Sequence, residues 1–101
     1  KATIMANRVT EKMLQTQVDR LNELTGSPMT PYSRDAAQSR SITNIGNFHL
    51  SAAYGGVCVH RMHTVSGGVT TPIFSYHVPK RELYEALNAF IAGIEFNLAG
   101  D

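Results

Sequence analysis

The chain has a single cysteine, Cys58, in 101 residues. No internal disulfide can staple it, and such cysteine usage suits a reducing compartment. Charge is scarce: 17% of residues are charged and the formal net charge is +1. That balance excludes strong steering toward nucleic acid or a membrane surface and leaves a fairly neutral surface for a partner. The N-terminal stretch has no long apolar run, so neither a signal peptide nor a membrane span is expected, and the expected location is cytoplasmic. Neither glycine pair, Gly55-Gly56 or Gly67-Gly68, belongs to a GxxxxGK or GxGxxG pattern, so phosphate cradling has no support. The acidic residues lie mostly in the two helical segments, which leaves the middle of the chain without a carboxylate pair for acid–base chemistry.

What is present is enough for one domain spanning residues 1–101 with its own core, at 43% apolar residues. Met5-Ala6-Asn7-Arg8 reads like a natural start, so residues 1–7 are expected to be a flexible tail, or Lys1–Ile4 to come from upstream or added sequence. Leu14, Val18, Leu21 and Leu24 recur on one helix face, which predicts a helix over about residues 8–25. Thr10 is the expected N-cap, with Asn7 as the alternative, and Gly26 followed by Pro28 is the expected stop. Residues 33–43 are small and polar and are expected to form a mobile loop.

Three strands follow. Ile45–Ala52 alternates, Val57–His63 follows the first glycine pair, and Val69–His77 follows the second, with Pro72 marking it as an edge or interrupted strand. Pro79 suits the first position of a closing helix whose apolar stripe is Leu83, Leu87, Phe90, Ile91 and Ile94. Gly93 inside it is expected to permit close approach of the sheet. The order predicts an α+β, two-layer α-β-β-β-α fold. An antiparallel meander of three or four strands would be covered on one face by the N- and C-terminal helices.

With Gly55-Gly56 as the turn, Tyr54 pairs with Val57 and Ser51 with His60. Phe48, Leu50 and Ala52 then share a face with Val57, Val59, Arg61 and His63. Asn47, His49 and Ser51 share the other with Cys58, His60 and Met62, and a register error of two leaves this division intact. The helices are expected on the Phe48 face. The opposite face is expected to present His49, Ser51, Cys58, His60 and Met62 to water or a partner. His63 and His77 sit near strand ends, where a loop or capping role is expected, with His77 near the start of the closing helix.

Sharper chemistry competes for the same residues. His49, Cys58 and His60 are good soft-metal donors, but a structural zinc site normally takes four ligands, no CxxC or HxxxH spacing occurs, and diagonal cross-strand neighbours lie about 7 Å apart. Cys58 with a neighbouring histidine could act as a nucleophile, yet no helix N-terminus is placed to lower its pKa. The expectation is therefore no catalytic residue, no metal and no cofactor. Arg34, Arg40, Arg61, Lys80 and Arg81, with Tyr32 or Tyr54 interleaved, form the nucleic-acid alternative; five dispersed cations among eight acidic residues are a weak electrostatic footprint.

Several stretches carry a resemblance. They are Leu21–Pro28 with Thr30-Pro31-Tyr32, Asn44–Ser51 with Ala53–Val57, and Val78–Tyr84 leading to Ala89–Gly93. From about Leu14 onward the chain resembles small uncharacterised accessory proteins of tailed phages and prophages. The resemblance implies work in a bacterial cytoplasm during infection or lysogeny and brings no catalytic residues with it. The leading expectation is thus a non-enzymatic accessory protein that binds a host or phage protein, or itself as a homo-oligomer. A small nucleic-acid-binding module comes second, and a metal- or thiol-dependent enzyme centred on His49, Cys58 and His60 third.

Overall fold

The computed structural model describes residues 8–100, so the expectations for residues 1–7 lie outside the described residues. Helix α1 spans Glu11–Thr25 and buries Leu14, Val18 and Leu21. It begins later than the apolar stripe alone predicts because Thr10 holds extended backbone (φ −103°, ψ 160°) and its hydroxyl accepts the Met13 N–H at 3.2 Å. Gly26 ends it in the left-handed region, at φ 67°.

The stretch expected as an irregular loop is a β-hairpin. Strand β1, Tyr32–Asp35, pairs antiparallel with β2, Arg40–Thr43, from Tyr32 opposite Thr43 to Asp35 opposite Arg40. The Asp35 carboxylate accepts the Ala37 N–H at 3.1 Å and shapes the turn. At the base, the Asn44 side chain donates to the Thr30 carbonyl at 3.0 Å and to Ser33 Oγ at 2.8 Å. The ribbon is mostly exposed on both faces, so it has no apolar alternation to betray it.

Strands β3, Phe48–Ala53, and β4, Gly56–Met62, form the predicted hairpin in a different register. Ser51 lies opposite Cys58 and Ala53 opposite Gly56, which makes Tyr54 (φ 55°) and Gly55 (φ 75°) the turn residues. Two positive φ values in succession match the twist of a two-residue hairpin. Gly56 is spared for packing. A Cβ there would sit 2.8 Å from the Val78 carbonyl oxygen. The shift is by two in register, so the division of side chains between faces is the expected one.

Strand β5 is only Val69–Thr70, pairing with Met62 and Arg61 at the edge of the sheet, instead of running to His77. Pro72 cannot donate to a ladder, and the chain leaves the sheet beyond Thr70. It returns at Val78, which exchanges two backbone hydrogen bonds with Val57, at 2.8 and 2.9 Å, along the same edge of β4.

Helix α2 spans Lys80–Ala99 and buries Leu83, Leu87 and Ile91, while Phe90 of the expected stripe is exposed. Pro79 is its N-cap rather than its first residue. Gly93 does not serve a close approach: nothing lies within 4 Å of where its Cβ would be. The two helices lie side by side, tied by Arg20–Glu95 and Gln17–Asn88 contacts. Their stripes meet Phe48, Val57 and Val59 in one core, joined by Val9 and Val78. The result is α+β: a three-stranded antiparallel sheet, order β3-β4-β5, with a separate two-stranded ribbon. Among the described residues no helix is long and apolar enough to cross a membrane.

Candidate functional site

Two features of the sheet stand out: its face away from the helix-packed core, and its outer β3 edge. On that face His49 lies opposite His60, and Ser51 opposite Cys58, with Met62 farther along β4. These residues share one side, but not all of them meet solvent. Cys58 is 1% exposed and Met62 2%, so neither offers the surface expected of a partner-binding residue, whereas His49, Ser51 and His60 are half-buried.

The returning segment is what the linear pattern missed. Pairing of Val57 with Val78 sets His77 across from Cys58, on the same face. His77 Nε2 lies 3.0 Å from Ser51 Oγ, its ring is edge-on to His60 at 6.3 Å between centroids, and the Tyr54 ring packs against it at 5.7 Å. One donor atom each from Cys58, His60 and His77 lies within 4.8 Å of the other two. His49, which the sequence grouped with Cys58 and His60, stands outside this trio. Its Nδ1 is 3.0 Å from Asn47 Oδ1 and its ring meets the His60 edge at 5.7 Å.

Burial shifts the titration of three groups on this face. Desolvation lowers the His49 pKa below the usual imidazole range, and the facing His60 lowers it further. His60 is lowered by the same desolvation and then by His77. Burial pushes the Cys58 thiol up, the direction that opposes a thiolate nucleophile. For folding, the unfolded chain takes up protons below a pKa of about 6.5 while the folded chain resists them, so these histidines contribute stability above that value. Urea titrations of chelator-treated protein should show this contribution falling away as pH drops from about 6.5 through the lower folded values. Replacing both His49 and His60 by glutamine should flatten that slope. An unchanged slope would mean that other groups set it.

The β3 edge is built differently. Both main-chain groups of Phe48 point outward to the buried Asn22 side chain, whose Nδ2 donates to the Phe48 carbonyl at 2.9 Å and whose Oδ1 accepts its N–H at 2.8 Å. Alternation along the ladder turns the N–H and C=O of Leu50 and Ala52 the same way. The opposing residues agree, because Val57, across from Ala52, directs its own groups outward to Val78. Among the described residues Leu50 and Ala52 have no partner for these groups. A cleft lined by Glu11, Lys12, Gln15, Leu50 and Ala52 runs beside them.

The five basic residues of the nucleic-acid alternative fall in three places. Arg34 and Arg40 sit on the β1–β2 ribbon. Arg61 donates from Nε to the Gly46 carbonyl at 3.1 Å, with its guanidinium 4.6 Å from the centroid of the Phe48 ring. Lys80 and Arg81 open α2, where Arg81 is 3.7 Å from Glu85. No family model, curated protein or solved structure matches the chain, so the functional reading rests on its own geometry.

Proposed function

We propose that the chain is a binding module without catalysis of its own, which self-associates by adding β3 of one copy to β3 of another. The observation that carries this reading is the pair of open rungs at Leu50 and Ala52, beside a rung closed by Asn22. An antiparallel pair about a two-fold axis through Ser51 sets Leu50 against Ala52 of the second copy and the reverse. Each such pair then exchanges both of its main-chain bonds. The cleft beside the edge has both signs of charge on its rim, Glu11 and Lys12, so one patch is complementary to its own two-fold image. Open edges invite such addition. The resemblance to tailed-phage and prophage proteins supplies the setting, a bacterial cytoplasm, and genes for replication, lysis or anti-defence beside its own would support that setting.

Light scattering on a size-exclusion column should give a dimer that Ala52→Pro converts to monomer. Proline removes a donor that points away from β4 and restricts φ, a change that edge strands accept, so circular dichroism should stay close to that of the parent. A monomer throughout the micromolar range, or a dimer that survives Ala52→Pro with its native spectrum, would overturn the reading.

A further inference from the structure

We infer that Cys58, His60 and His77 form a binding site for a soft divalent cation, zinc above all. The donor set is one sulfur and two imidazole nitrogens, all within 4.8 Å of one another. Around a four-coordinate zinc, with bonds of about 2.0–2.3 Å, such atoms stand roughly 3.3–3.6 Å apart. Closing that difference falls to the side-chain torsions of Cys58, His60 and His77. The backbone itself is well defined: Cys58 and His60 are alternate residues of one strand, and two hydrogen bonds between Val57 and Val78 hold His77 opposite Cys58.

The surroundings also suit a site. Ser51 Oγ holds the His77 ring through Nε2 at 3.0 Å, the kind of outer contact that orients a ligand imidazole. Cys58 is buried, while His60 and His77 are half-exposed, so a cation enters from the solvent side of the sheet and meets the sulfur last. Three protein donors leave one position for water or another exchangeable ligand, the arrangement of an open zinc site rather than a closed structural one. Binding replaces the Cys58 S–H bond with an S–Zn bond and releases that proton to solvent. Carboxylates are missing from the donor set, which favours zinc over magnesium or calcium. The site lies on the opposite face from the core, and none of its three donor residues belongs to β3, whose outward main-chain groups carry strand addition, so the two are tested by different variants.

Calorimetry of zinc chloride into the chelator-treated, untagged full chain should show one zinc per chain. Cobalt(II) in the same protein should show the sulfur-to-cobalt charge-transfer band of a thiolate ligand. Cys58→Ser should abolish that band, and His77→Ala should weaken zinc by at least about tenfold, the scale on which even outer partners act. His63→Ala, at a histidine outside the trio, should change neither. His77→Gln serves as a second variant should alanine disturb the fold, and circular dichroism reports on folding of each. Zinc binding no tighter than millimolar, or micromolar binding that survives loss of both Cys58 and His77, would overturn the assignment.

Discussion

Asn22→Ala is expected to be among the most destabilising single substitutions in this chain, lowering the unfolding free energy by about 2–6 kcal/mol. Asn22 is 1% exposed and satisfies both main-chain groups of Phe48, itself 3% exposed. Truncation leaves a donor and an acceptor buried without partners, at about 1–3 kcal/mol each. A domain of this size has about 5–15 kcal/mol in all, so the loss is a large share of it. Urea denaturation should show a lower midpoint with an unchanged m-value. Asn22→Asp keeps an acceptor for the Phe48 N–H but buries a carboxylate whose second oxygen faces the Phe48 carbonyl, so near neutral pH it should cost at least as much as alanine and recover in acid, where the protonated carboxyl regains a donor. A loss below about 0.5 kcal/mol for alanine would mean that water replaces the side chain at no penalty.

Gly56→Ala carries the second large effect, and it couples the hairpin to the cation site. The added Cβ would stand 2.8 Å from the Val78 carbonyl oxygen and 3.1 Å from both the His77 carbonyl carbon and the Val78 nitrogen. All three are backbone atoms in a segment pinned by two hydrogen bonds, so relief requires moving that segment away from β4. Overpacking of this kind costs about 1–3 kcal/mol. Because His77 moves with Val78, zinc affinity should fall as well, although no ligand has been removed. Gly55→Ala is the comparison: its φ of 75° makes alanine strained, but nothing lies within 4 Å, so stability should fall while zinc binding holds. A Gly56→Ala protein as stable as the parent, with parental zinc affinity, would contradict both parts.

Much of the frame was legible in the residues. The 3.6-residue stripe of Leu14, Val18 and Leu21 and that of Leu83, Leu87 and Ile91 mark helices because one face of each must be buried. Thr10 and Gly26 mark ends because they satisfy or permit what helix termini need. The two faces of the β3–β4 hairpin followed from strict alternation, and they survived a turn placed on the wrong pair of residues. The β1–β2 ribbon was invisible for the converse reason: with both faces exposed, nothing in its pattern distinguishes Tyr32–Thr43 from a polar loop.

Local pattern thus determined the α+β class, the two helices and the company kept by His49, Ser51, Cys58, His60 and Met62. Only tertiary structure decided what that company does. The return of the chain at Val78, after the excursion past Pro72, depends on a pairing more than twenty residues away in sequence, which no periodicity encodes. That pairing gives Cys58 and His60 their third neighbour in His77, and Asn22, from a different element, leaves Leu50 and Ala52 as the open rungs of β3. Periodicity speaks of which face is buried; it is silent on which edge is closed and which distant residue arrives there.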